Sequence, residues 1–290
     1  MKDSLKNRIR LHIEQKFEAI ELDKLPFPHL IIEGFFPDDV YQKILEYNLF
    51  KENRGTEWLS KSATRASKTG TPYYARKQIN FHANDPYVAG SEEGDFWNSL
   101  SEIFLADSWF EKLVFNKYPD YFYLRFGNLC QDSDFFNFFK KELFLQRHEV
   151  GYKIGPHTDI PTRVFTCIFA FAETPGYEHC GTELLSHQDR LTRCWGNNHY
   201  DTSDFKIEKI APYSPNNFLL FFKTRQSFHS VCEIDDTVPN QRYGIQFQFY
   251  EPTGGLFKDL SEPEIMYTRH RKTSNTLDKI KHRLVGLVSS

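Results

Sequence analysis

Hydrophobic residues recur at steps of three or four over residues 4 to 20, where Leu5, Ile9, Ile13, Phe17 and Ile20 share one side; this period predicts an amphipathic helix packed against another surface. The pattern breaks at Pro26 and Pro28. LPFPHLIIEGFFPDDVYQKILEYNLF then reads as a short strand over His29 to Glu33, a turn at Gly34, and a helix capped by Asp38 or Asp39. Residues 51 to 80 are polar and interrupted by Gly55, Gly70 and Pro72, which predicts a long loop of the kind that often serves as a lid. Over residues 92 to 117 the helical period returns, divided near Asp107 and Ser108.

From residue 121 the period changes. Short runs rich in Phe, Tyr, Val, Ile and Thr follow one another: YFYLRFG, FLQRHEVGY, RVFTCIFAFA, TELLSHQ, NNFLLFFKT, SFHSVCEI and RYGIQFQFYE. Strands of this length, separated by Gly, Pro, Asn and Asp, predict an antiparallel sandwich or barrel. After residue 268 the chain turns basic, with six Lys or Arg against one acidic residue, and NTLDKIKHRLVGLV predicts a last amphipathic helix docked on the core. The expected organisation is an N-terminal helical and lid region (1–120), a β core (121–252) and a basic helical extension (253–290).

Composition narrows the function. With 290 residues, 40% of them hydrophobic and 16% aromatic, the chain can bury a substantial core. A net charge of −3 and the lack of a basic tract interleaved with aromatics argue against nucleic acid as a partner. No apolar run approaches the length of a membrane span and the N-terminus lacks a signal-peptide core, so a cytoplasmic protein is expected. Five cysteines without CxxC spacing fit neither a disulfide framework nor a closed zinc module.

The chemistry concentrates in GYKIGPHTDIPTRVFTCIFAFAE. On an extended chain residues i and i+2 share a face, so His157 and Asp159 can present an imidazole and a carboxylate to one point, although HxD also occurs in ordinary loops. A third ligand is available in SFHSVCEI as His229. Two histidines and one carboxylate form the facial triad of non-haem Fe(II) oxygenases, which leaves the opposite coordination positions open. Arg242 stands thirteen residues after His229, at the head of the next strand, and its guanidinium fork suits a carboxylate.

In chain order, GYKIGPHTD, RVFTCIF, GTELL, SFHSV and QRYGIQFQF resemble the 2-oxoglutarate- and Fe(II)-dependent oxygenases over roughly residues 121 to 251, and PFPHLIIEGFFPDDVYQKIL resembles the entry of their prolyl-hydroxylase-like branch. The resemblance implies a mainly β fold with flanking helices, a double-stranded β-helix or jelly roll. It implies Fe(II) held by His157, Asp159 and His229 as catalytic centre, with Arg242 binding the distal carboxylate of 2-oxoglutarate. Gln146 and Thr166 are further co-substrate contacts by the same resemblance, and Ala170 replaces a tyrosine that some members carry. The implied reaction hydroxylates an unactivated C–H bond using O2 and releases succinate and CO2, with ascorbate as a stimulant. The carboxylate of Asp159 favours hydroxylation over halogenation, since halogenating members have a small residue there.

Other readings were open at the level of sequence. The substrate is a small molecule (an amino acid, sugar acid or natural-product intermediate), or else a protein side chain; a non-catalytic jelly roll is a further alternative, as is a homodimer. His179, Cys180, Cys194 and His199 offer an alternative zinc set of unfamiliar spacing. His148 and Tyr152 alternate with Gln146 and could face the mouth of the site, a packed or exposed role being the preferred reading, and a substrate loop is the minority reading of His187 and Arg190.

Overall fold

A computed structural model describes residues 2–50, 76–81, 91–194, 196, 198–238 and 242–251. Among the described residues ten strands form two antiparallel sheets. The larger contains β1 (His29–Glu33), β8 (Asn217–Phe222), β5 (Arg163–Ala170), β10 (Arg242–Tyr250), β3 (Lys140–His148) and β2 (Arg76–Phe81), in that order. The smaller runs β4 (Ile154–His157), β9 (His229–Val231), β6 (Thr182–His187) and β7 (Phe205–Ala211). Two facing antiparallel sheets are the sandwich that the strand pattern predicts, in the double-stranded β-helix form that the resemblance implies.

A period of two divides the larger sheet into a dry face and a wet one. On β10, Tyr243, Ile245, Phe247 and Phe249 join Phe165, Cys167 and Phe169 of β5 and Leu143 and Leu145 of β3 in the main core. The intervening positions Arg242, Gly244, Gln246 and Gln248 line a cavity between the sheets. Helices cover the dry face: α1 (Lys2–Ala19), α3 (Glu92–Leu105), α4 (Trp109–Lys117) and α5 (Pro119–Phe126), while α2 (Asp38–Glu46) follows β1. Ile9, Ile13 and Phe17 of α1 are fully buried, and the Phe17 ring meets Phe110 of α4 and Phe218 of β8 edge-on or tilted. Aromatic rings supply most of this layer because they bury large areas and pack well edge-to-face.

Two expectations are corrected. YFYLRFG is not a strand: residues Pro119–Phe126 are α5, opened by a proline at its first turn and ended at Gly127, whose φ is +57°. Its aromatic residues mimic strand composition, but Phe122 and Phe126 lie one helical turn apart and both are buried. The polar segment 51–80 is not loop throughout, since Arg76–Phe81 form β2 at the edge of the larger sheet, paired with β3. Residues 51–75 and the expected C-terminal helix lie outside the described residues. Among the described residues no helix is long and apolar enough to cross a membrane.

Candidate active site

The register of the smaller sheet brings the two histidines together. His157 at the end of β4 lies directly opposite His229 at the start of β9, and their rings are 4.2 Å apart between centroids. Asp159 follows two residues later, and one donor atom from each of the three lies within 4.8 Å of the others. Among the described residues this is the one group of three such side chains placed to hold a metal ion. The alternative set of His179, Cys180, Cys194 and His199 does not assemble. His199 instead bridges to His157, its ring stacked at 4.9 Å.

The protonation pattern suits a cation. His157 Nδ1 donates to the Gly155 carbonyl at 2.9 Å and His229 Nδ1 donates to the Ser227 carbonyl at 3.0 Å. Each ring therefore keeps its proton on Nδ1 and turns the Nε2 lone pair to the other side, as outer-shell carbonyls do for metal-bound histidines. Burial, reinforced for His157 by His229, holds both imidazoles below their ordinary pKa, so they are neutral. Burial alone would raise the Asp159 carboxyl. The Arg163 guanidinium and the Thr166 hydroxyl act against burial and hold the group below the usual carboxylate range. Two neutral imidazoles and one ionised carboxylate need lose no proton to take a divalent ion, and this N2O donor set on one side fits Fe(II) with open positions.

The loop between these ligands is fastened from beneath. Lys223, fully buried, donates to Thr158 Oγ1 at 3.0 Å, to the Thr224 carbonyl at 2.7 Å and to the Cys194 carbonyl at 3.4 Å. Gly196 packs so closely on this loop that a Cβ there would fall 2.5 Å from the Asp159 carbonyl, at a φ of +129° that favours glycine. Burial pushes the Lys223 ammonium down from 10.5 to about 7. Between those values the unfolded chain holds a proton that the folded chain has released, so this residue makes stability rise with pH through that window. The contribution reaches about 1.4 kcal/mol per pH unit. Chemical denaturation at pH 7 and at about pH 7.8, below the unperturbed thiol pKa of about 8.5, should show stability rising more with pH in the wild type than in Lys223→Met, since the buried thiols contribute equally to both.

At the other end of the cavity Arg242 is buried at the head of β10, paired in register with His148 of β3. Its Nη1 donates to His148 Nδ1 at 2.7 Å and its Nη2 to Thr182 Oγ1 at 3.3 Å, while Cζ lies 5.8 Å from the Tyr213 ring centroid. Burial, aided by Arg242 and Arg76, keeps His148 neutral, so the proton sits on Nε2. The Tyr152 ring stacks flat on His148 at 4.0 Å. His148 Nε2 and Arg242 Nε are buried with no partner among the described residues, an arrangement that is costly unless a ligand supplies acceptors. A carboxylate is the acceptor that a guanidinium and an imidazole N–H together accommodate best.

The four predicted anchors thus share one cavity of about 830 Å³, lined by His157, Asp159, His229 and Arg242 among others. Gln146 also lines it, but its amide donates to Gln78 Oε1 at 2.9 Å and to Gln246 Oε1 at 3.2 Å. Thr166 lies beside the triad, where its hydroxyl donates to Asp159 Oδ2 at 2.6 Å. Ala170 lines the wall next to Gly244. His187 and Arg190 are not among the lining residues. His148 and Tyr152, read from sequence as packed or exposed, belong to the site, with Thr182 and Tyr213. His148 is legible as the position two beyond Gln146 on the same strand face; Tyr213 lies in the β7–β8 connection and carries no local signal.

No family model matches the chain, and no curated protein does. Among solved structures it is similar to a prolyl-4-hydroxylase of Pseudomonas putida, at 9% identity and a TM-score of 0.44 over 84% of this chain and 100% of that one. It is also similar to TqaL, an Fe(II)/α-ketoglutarate-dependent dioxygenase, at 10% identity and a TM-score of 0.44 over 91% and 94% of the two chains. HygX of Streptomyces hygroscopicus, whose structure holds nickel, 2-oxoglutarate and hygromycin B, gives 9% identity and a TM-score of 0.42 over 84% and 91%.

Proposed function

We propose that this protein is an Fe(II)- and 2-oxoglutarate-dependent oxygenase that hydroxylates a small polar molecule. One observation carries the reading: an N2O donor triad and a buried guanidinium with unsatisfied donors beside it line the same cavity. A dicarboxylate that chelates a metal at one end needs a cation at the other, and His157, Asp159, His229 and Arg242 supply both ends.

The residues divide the work. His157, Asp159 and His229 hold the ion on one side and leave the cavity side for co-substrate. Bound there with 2-oxoglutarate and O2, iron supplies the oxidising chemistry that the side chains lack. Arg242 takes the distal carboxylate, Thr182 and His148 orient its guanidinium, and Tyr152 and Tyr213 wall that end from water. The remaining volume is edged by Gln146, Gln246 and Gln248, whose amides offer both donors and acceptors to a polar substrate. Substrate bound in this volume would exclude water from the side facing the triad; overall, 2-oxoglutarate and O2 would be consumed, one oxygen atom leaving in succinate and the other in the hydroxylated substrate, with release of CO2.

The cavity of about 830 Å³ leaves room beside a co-substrate, and the amides that line it suit a small polar molecule. Succinate formation from 2-oxoglutarate, followed with dialysable metabolite fractions and separately with macromolecular fractions, tests this. Stimulation by the dialysable material is expected. Stimulation confined to the macromolecular fraction would move the assignment to a protein hydroxylase, and Fe(II) binding without 2-oxoglutarate turnover under any fraction would point to a non-catalytic jelly roll.

A further inference from the structure

Arg163 stands four residues after Asp159, at the head of β5, and is buried. A buried guanidinium is costly unless its charge is answered. Its Nη1 lies 3.5 Å from Asp159 Oδ1 and donates to Thr166 Oγ1 at 3.0 Å, and the Thr166 hydroxyl in turn donates to Asp159 Oδ2 at 2.6 Å. Guanidinium, hydroxyl and carboxylate close a triangle. On its far side Arg163 Nη2 donates to the Tyr250 hydroxyl at 2.8 Å, and Cζ sits 4.5 Å from the centre of the Tyr250 ring.

The backbone under this triangle is equally constrained. Arg163 N–H donates to the Ile160 carbonyl at 3.0 Å, closing a turn directly after Asp159. Arg125, itself buried, donates to the carbonyls of Pro161 at 2.6 Å and of Arg163 at 2.7 Å. Stacking on Tyr250 would satisfy a purely packed side chain, and a neutral residue would pack there at lower cost. A cation facing the ligand carboxylate calls for a role connected with that carboxylate.

We propose that Arg163 is a positioning residue for the metal-ligating carboxylate: with Thr166 as relay, it fixes the rotation of Asp159 so that Oδ2 is held by the Thr166 hydrogen bond, while Oδ1, which the guanidinium faces at 3.5 Å as an ion pair, is left to the ion. The role rests on the metal-centre reading above. It assigns Thr166 to Asp159 rather than to the co-substrate, and single-oxygen ligation leaves coordination positions for a chelating dicarboxylate. Outer-shell partners of metal ligands act on affinity by about 10–100-fold.

Titration of the full chain with Co(II), read by calorimetry and by the visible absorption of the bound ion, separates the possibilities without any turnover. Arg163→Gln is expected to weaken Co(II) binding by about 10–100-fold and to change the absorption spectrum. Thr166→Val should move both in the same direction, and Arg163→Lys, which keeps the cation without the fork, should recover part of each. Arg163→Gln, or Thr166→Val should the former fail to fold by circular dichroism, with wild-type affinity and spectrum would overturn the proposal. That outcome differs from failure of the metal centre itself, in which the wild type takes up no Co(II) or His157→Ala binds it equally well; this would overturn the centre and the positioning role together.

Discussion

Asp159→Ala is expected to abolish Fe(II)-dependent turnover of 2-oxoglutarate, a loss beyond the roughly 100-fold that outer-shell changes produce, because it removes a ligand outright. The substitution also strands charge. Arg163, buried and 3.5 Å from the Asp159 carboxylate, would lose its counter-ion, and a buried charge deprived of its partner costs about 3–5 kcal/mol. Stability should therefore fall with activity. Asp159→Asn separates the two effects: it keeps shape and hydrogen bonding to Thr166 but not the negative charge, so it should fold better than the alanine variant while binding metal little better. Co(II) titration beside thermal denaturation of both variants checks this, and turnover near the wild-type level in Asp159→Asn would contradict the ligand role.

Arg242→Met is expected to leave metal binding within a few-fold of wild type and to weaken 2-oxoglutarate binding by about 30- to 4,000-fold. The magnitude follows from truncating one partner of a buried, hydrogen-bonded charge pair, which costs about 2–5 kcal/mol, at 1.4 kcal/mol per tenfold. Arg242→Lys keeps a point charge but loses the planar fork that now engages His148 and Thr182, so only part of the affinity should return. Equilibrium binding of 2-oxoglutarate to the Co(II)-loaded proteins measures both. Equal weakening of Co(II) and 2-oxoglutarate would indicate a general collapse of the cavity rather than loss of an anchor.

The fold was readable wherever periodicity and burial act together. β3, β5, β8 and β10 bury one face or both, so their apolar runs stand out, and α1 declares itself by Ile9, Ile13 and Phe17. α5 reads as a strand in sequence because Tyr121, Phe122, Tyr123 and Phe126 have strand composition; the helix is decided by Pro119, a local start signal, and by packing against the aromatic layer, which is non-local. β2 was hidden because its residues Arg76, Gln78 and Asn80 face the polar cavity side, and polar alternation on a wet face looks like loop. Candidate ligands were legible because HxD and a later histidine carry their chemistry in residue type. The supporting residues were not: Arg163, Lys223 and Tyr213 are ordinary in sequence, and only register and turn geometry bring them to Asp159, Thr158 and Arg242.

The most direct measurement is succinate formation by protein loaded anaerobically with Fe(II) and 2-oxoglutarate and then exposed to air, beside metal-free and Asp159→Ala controls. Succinate that requires Fe(II), O2 and the Asp159 carboxylate together is the expected result. Tight Fe(II) and 2-oxoglutarate binding with no succinate above the controls, across a broad pool of small polar metabolites, would contradict the assignment as an oxygenase.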